Sequence, residues 1–282
     1  MPSLTDPLLP NGATSLFGAA FNASLETDSW SMEDPEFDMF MFGAGPVGAL
    51  TNTLYLREAG DAAAISAMDI HQGRLGDCYL LSSIGEAALF AAAKIPNMIQ
   101  QNSNGTETVT LYTDARGGLV NFTTTAFKPV SVTVQNTFDA RSVNNGANQG
   151  VVGNQKEIWV QVLEKAYATL HGGYDAIGRG GYPVLALEEL TGHKASWMSA
   201  SQVTETVLRQ HIAAGDVMTF DTGGGSLPYG LVNNHCYMFQ SLTGSGKTAA
   251  VQVLNPWGFA EPAAIPVSQL AKAFVEVDFG HF

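Results

Sequence analysis

The stretch His71-Gln72-Gly73-Arg74-Leu75-Gly76-Asp77-Cys78-Tyr79-Leu80-Leu81-Ser82-Ser83 decides how the chain is read. The chain holds two cysteines, Cys78 and Cys236. Cys78 stands where a glycine-rich loop stops and an apolar run begins. Leu80, Leu81, Ile84, Ala87, Ala88 and Ala91 recur at helical spacing, which predicts an amphipathic helix with Cys78 in its first turn. A helix N-terminus carries partial positive charge, which lowers a thiol pKa and favours thiolate. Gly73 and Gly76 let the preceding backbone turn tightly and approach a ligand closely. Gln72 is a side-chain donor that the loop can swing back towards the sulfur. These are the parts of a cysteine nucleophile with an oxyanion donor. The alternative is a small buried cysteine at a helix start.

Bulk properties narrow the choices. The chain has 282 residues, 45% hydrophobic and 14% charged, enough for one large domain or two lobes. Its formal net charge is −13. Residues 1–70 hold ten acidic side chains and one basic one, a balance of −9 that leaves −4 for the remainder. A nucleic-acid partner would need basic patches, so none is expected. No run approaches the length of a membrane-spanning helix. The N-terminus lacks a basic region followed by an apolar one, so the expected location is the cytoplasm or leaderless secretion. With two cysteines, a disulfide framework does not organise the fold.

Residues 1–45 differ from the rest. Glu33-Asp34-Pro35-Glu36-Phe37-Asp38-Met39-Phe40-Met41-Phe42 alternates acidic and bulky apolar side chains. Such a segment is expected to dock, either as an ordinary arm or as an inhibitory segment whose residues 28–42 contact the cleft. A short helical stretch is expected around residues 62–68. After the motif helix, period-two alternation predicts strands at 108–112, 120–123 and 130–134. Residues 156–170 read as a second helix, with Ile158, Trp159, Val162, Leu163, Ala166 and Leu170 on its apolar face and a glycine stop at Gly172-Gly173. The first lobe spans 46–192 and the second 193–282. The second reads as a helix (203–214) followed by strands at 216–220, 234–239, 249–254 and 275–279. Helices gather in the first half and strands in the second, which predicts an α+β fold of two lobes.

His235 lies on a predicted strand and Asn255 at the end of the next, followed by Pro256-Trp257-Gly258. Neighbouring antiparallel strands would set the two side by side. A thiol at neutral pH is mostly protonated, so an imidazole must take its proton and later protonate the leaving amine. An Asn carbonyl oxygen can fix the imidazole tautomer. Trp257 would shield that bond from water, and Pro256 pins the backbone. Singly, His235 reads as a core histidine and Asn255-Pro256 as a turn. Cys236 alternates to the opposite face, where a small buried residue is expected. Gly244-Ser245-Gly246-Lys247-Thr248 mimics the end of a phosphate loop. Ser241 replaces the glycine that loop requires, and a strand follows instead of a helix, so a hairpin turn is the reading.

Taken together, these segments resemble the calpain family of papain-like cysteine proteases. Gln72-Gly73-x-x-Gly76-Asp77-Cys78, Glu157-Ile158-Trp159, Leu163-Glu164-Lys165-Ala166-Tyr167-Ala168, His171-Gly172-x-Tyr174, Glu188-x-Leu190-Thr191-Gly192, Asn234-His235-x-Tyr237 and Leu254-Asn255-Pro256-Trp257-Gly258 occur in the family's order. The resemblance implies a papain-like two-lobe fold with a helical first lobe and an antiparallel second lobe. It implies a cysteine endopeptidase acting on proteins or peptides through an acyl-enzyme. Cys78 would be the nucleophile, His235 the acid/base, Asn255 the orienter and Gln72 the oxyanion donor, with Trp257 and Asp77 in support. Tyr79 stands where the family usually has Trp, and Cys236 where it usually has Ala. The family is typically calcium-activated, which casts Asp69 and Glu164 as candidate calcium ligands and Glu261 as one ligand of a second site; no cofactor is otherwise required. Rival readings are an acyl transferase with the same thiol chemistry and a non-catalytic peptide-binding module.

Overall fold

The computed structural model of the protein describes residues 50–57 and 63–282, and the expectation for residues 28–42 lies outside them. Strand β1 (Thr51–Thr53) precedes the motif loop and helix α1 (Cys78–Phe90) follows it. Then come β2 (Ile99–Gln101), β3 (Thr106–Asp114), β4 (Phe127–Gln135), β5 (Val151–Val152) and β6 (Gln155–Glu157). Helices α2 (Trp159–His171) and α3 (Pro183–Thr191) follow, then β7 (Ser196–Ser199) and α4 (Glu205–Ala214). The chain closes with β8 (Val217–Asp221), β9 (Cys236–Thr243), β10 (Ala250–Leu254), β11 (Ile265–Pro266) and β12 (Glu276–Gly280).

Helix α1 starts at Cys78, as its periodicity predicts, but it is not amphipathic. Leu80, Leu81 and Ile84 are fully buried, and so are Ser82, Ser83 and Glu86 on the other faces. A helix covered all round lies between layers. Here β8 and β9 cover one side, and α2 and α3 another. Burying each large apolar side chain of α1 contributes roughly 1.5–3 kcal/mol. Its polar side chains reach fixed partners: Ser82 Oγ donates to the Cys236 carbonyl (2.9 Å), and Glu86 Oε2 accepts the Met218 N–H (2.9 Å).

Helix α2 begins three residues later than expected, because Gln155–Glu157 pair in parallel with Thr51–Thr53. Its stop is the expected one: Gly172 adopts φ 94°, a left-handed cap that costs glycine little. Strands β2, β3 and β4 form an antiparallel sheet. The predicted strand at 120–123 is instead a turn. Asn121 Oδ1 accepts the Thr123 N–H (2.9 Å), and Thr124 Oγ1 accepts the Asn121 N–H (3.0 Å). Such local side-chain bonds compete with a strand ladder. Of the predicted helix around 62–68, the described residues form a single 3-10 turn at Ala67–Asp69.

The C-terminal half carries a six-stranded sheet in the order β11-β10-β9-β8-β12-β7. The last strand, β12, thus inserts between β8 and β7. Phe220, Tyr237, Val251, Val253 and Val277 pack one apolar cluster in this half. A second cluster joins Leu80, Leu81 and Ile84 to Val109, Leu111, Trp159 and Leu163. Helix and sheet are therefore mixed in both halves, and the expected segregation is too simple. The Ser245 segment forms a short 3-10 turn (Gly246–Thr248) between β9 and β10. Glu205 accepts the Gly246 N–H there (2.8 Å), which leaves a carboxylate where a phosphate loop would hold a phosphate.

Candidate active site

The loop before Cys78 is fixed by its own backbone. A Cβ on Gly73 would land on the carbonyl oxygens of Arg141 and Ser142, and one on Gly76 would lie 2.7 Å from the Gly178 oxygen. The two glycines therefore approach other segments of the chain; the expected close approach to a ligand is not how they are used here. Backbone bonds from Arg74 to Arg141 (2.9 Å) and from Gly76 to Gly178 (3.2 Å) hold those approaches. The Gln72 N–H donates to the Pro256 carbonyl (2.8 Å), which ties this loop to the segment following Asn255. Gln72 Nε2 donates to the Leu75 carbonyl (2.7 Å) and to Asp77 Oδ1 (3.4 Å). The amide thus braces the loop in this conformation. Asp77 is fully buried beside Glu164, and burial pushes its carboxyl up to about 7.

His235 sits one residue before β9, not within it. Asn234 ahead of it takes φ 48°, a left-handed turn that Asn tolerates. Strands β9 and β10 are antiparallel neighbours, and they set His235 beside Asn255. His235 Nε2 lies 2.9 Å from Asn255 Oδ1. The same oxygen accepts the Trp257 N–H (3.0 Å), so it is the carbonyl oxygen of the amide. A carbonyl only accepts, so Nε2 carries the proton and Nδ1 keeps its lone pair. The Trp257 ring stands 4.9 Å from the imidazole, as a cover for that bond. The Asn255 N–H donates to Glu261 Oε2 (2.9 Å), which holds the segment from below. Thr222 is a positioning residue that spacing does not show. Its Oγ1 accepts the His235 N–H (2.9 Å), and its own N–H donates to the His235 carbonyl (2.8 Å).

The Cys78 sulfur meets the N–H of Cys236, the residue that follows His235, and that of Tyr79. Those donors favour a thiolate. Burial opposes them and wins: Cys78 is 3% exposed and its thiol is pushed up to about 12, with Asp221 and Asp77 adding to the rise. Burial also draws His235 down to about 4, against the pull of Asn255. Burial thus favours the neutral thiol at Cys78 and the neutral imidazole at His235. Enclosure works against the thiolate that the helix N-terminus favours. Tyr79 is buried, with its ring edge-on to Tyr167 at 6.3 Å. Cys236 is fully buried on the face away from His235.

The candidate calcium ligands are engaged within the fold. Asp69 Oδ2 accepts the Ser66 N–H (2.7 Å) and the Trp159 indole N–H (3.0 Å). Glu164 Oε1 accepts the Val143 N–H (2.9 Å). One oxygen of each thus serves as an internal acceptor, and no mechanistic step is routed through calcium. Among the described residues, Asp221, Glu276 and Asp278 form a group of three carboxylates close enough together to share an ion.

A cysteine at a helix start and a histidine paired with an asparagine beside a tryptophan are the side chains that a site of cysteine-protease type would use. Comparison with known proteins agrees. The family model for calpain family cysteine proteases matches residues 58–264, well over half of the chain. The chain belongs to the calpain family of cysteine proteases. Calpain-9 of Homo sapiens is 28% identical over 214 residues, covering 68% of this chain and 29% of that protein. Calpain clp-4 of Caenorhabditis elegans is 28% identical over 208 residues, covering 68% and 28%. The calpain-type cysteine protease ADL1 of Oryza sativa subsp. japonica is 28% identical over 216 residues, covering 70% and 9%. The chain thus matches less than a third of the length of each of these relatives. Among the described residues, no single helix is long and apolar enough to cross a membrane.

Proposed function

We propose that the chain is a cysteine endopeptidase of papain-like two-lobe architecture, with a first lobe at 46–192 and a second at 193–282. The observation that carries this reading is the 2.9 Å contact between His235 Nε2 and Asn255 Oδ1, under Trp257 and one residue from the amide that meets the Cys78 sulfur. In the reaction, the free Nδ1 of His235 takes the Cys78 proton as the sulfur bonds to a peptide carbonyl carbon. The oxyanion forms against the Cys78 N–H and Gln72, whose amide must leave Leu75 or Asp77 to reach it. Collapse breaks the C–N bond, and the imidazolium gives its proton to the departing amine. Water, deprotonated by His235, then hydrolyses the thioester. Substrates are proteins or peptides. Cleavage of casein by the full chain tests the reading. Cys78→Ala and His235→Ala are expected to slow it by about a hundredfold or more, and equal rates would refute it.

The enclosure of Cys78, which raises its thiol pKa, favours a second reading, a peptide-binding module whose thiol does not react. Epoxide inhibitors that alkylate papain-like thiols separate the two. Labelling of Cys78 supports the protease, and resistance supports the module.

A further inference from the structure

Strands β8 and β12 are antiparallel neighbours in the six-stranded sheet. The register sets Glu276 opposite Asp221, and Asp278 opposite Thr219. Side chains two apart on a strand share a face, so three carboxylates point to one side of the sheet. Each of the three offers an oxygen within 4.8 Å of the other two. An ion with oxygen ligands at about 2.4 Å spans about that separation between opposite ligands.

The second observation concerns hydrogen bonds. Asp221 is fully buried; its carboxylate faces the Cys236 thiol and the Asp278 carboxyl, and neither oxygen has an N–H donor or a hydroxyl donor from serine, threonine or tyrosine. Asp278 is also fully buried; Thr219 Oγ1 donates to its Oδ2 (3.1 Å), while its Oδ1 has no donor. Ion pairs in the described residues leave all three acids without a lysine, arginine or histidine. Three buried carboxyls with few donors and no counter-charge are costly, and a bound cation is one of the few things that satisfies them together. Glu276, at 7% exposure, is the least enclosed and opens the group towards solvent.

We propose that Asp221, Glu276 and Asp278 hold one hard divalent cation that takes carboxylate oxygens, in the manner of Ca²⁺ or Mn²⁺. This site is distinct from Asp69 and Glu164. It fastens β8 to β12 at the residue before Thr222, which brackets His235 on both backbone groups. The inference does not depend on the proteolytic reading, because it is tested by binding.

The test uses the full chain, stripped with a chelator and titrated with CaCl₂ and with MnCl₂ in a calorimeter, with thermal unfolding in parallel. One ion per chain is expected for at least one of the two metals, with a rise in Tm. Asp221→Asn and Asp278→Asn are expected to weaken binding by at least about tenfold. Glu276→Gln, the change nearest to solvent, is expected to do the same and keeps the test open if the deeper variants do not fold. Asp69→Asn and Glu164→Gln are expected to leave this binding in place. Absence of binding for both metals, binding that survives the loss of the three acids, or binding that is lost only with Asp69 or Glu164, would overturn the proposal.

Discussion

At Cys78 two influences compete, and their balance makes a measurable difference. The helix N-terminus and two backbone donors favour a thiolate, while enclosure pushes the thiol up to about 12 and His235 down to about 4. Iodoacetamide labelling of Cys78, read by peptide mass mapping, is therefore expected to climb steadily with pH between about pH 6 and 10. A preformed thiolate–imidazolium pair would instead give fast labelling that is flat across neutral pH. His235 also ties stability to acid. Its folded pKa lies below the unfolded value of about 6.5, so the folded state binds fewer protons in that interval. Its contribution is complete above about pH 6.5 and is lost as pH falls towards 4. In urea unfolding across that range, His235→Gln is expected to flatten the acid limb; an unchanged limb would contradict the assignment. Asn255→Ala is expected to lower kcat/KM for casein by about a hundredfold, because the tautomer is no longer fixed.

At the scale of elements, α1 is the piece on which both halves rest, and the sequence reveals its position better than its surroundings. The Cys78 start is legible because a glycine loop meets an apolar run. The burial of Ser82 and Glu86 is not, because their partners, Cys236 and Met218, come from strands far along the chain. A lone acid within an apolar helix was the one available signal for Glu86. Burial raises that carboxyl well above its ordinary range and favours its protonated form. Glu86→Gln reproduces the protonated shape and is expected to leave stability at pH 7 unchanged or improved. Glu86→Ala leaves the Met218 N–H without its partner and is expected to cost about 1–3 kcal/mol in urea unfolding. The turn at 120–123 shows the converse. Alternation suggested a strand, but Asn121 and Thr124 close local bonds that override it. The His235–Asn255 pair was legible because hairpin geometry makes adjacent strands neighbours. The cluster of Asp221, Glu276 and Asp278 was not, because it needs the insertion of β12 between β8 and β7, which no local pattern encodes.

At the scale of the molecule, buried acids outnumber buried bases among the described residues. Burial lifts Asp77 and Asp221 to about 7 and Glu276 to about 8, and raises Glu86, Glu164 and Asp278 as well. A carboxyl raised in the folded state keeps its proton where the unfolded chain has released it, so stability falls as pH rises from about 4 towards 8. In the presence of a chelator, the urea midpoint is expected to be higher at about pH 6 than at about pH 8.5; a higher midpoint at the alkaline end would contradict this balance. The central claim concerns the thiol, and its most direct test is covalent. The full chain is mixed with a peptide p-nitrophenyl ester, quenched in acid and weighed intact. An acyl adduct mapped to Cys78, absent in Cys78→Ala and slower to form in His235→Ala, is the expected result. No adduct, or an adduct on Cys236, would contradict the assignment of Cys78 as the nucleophile.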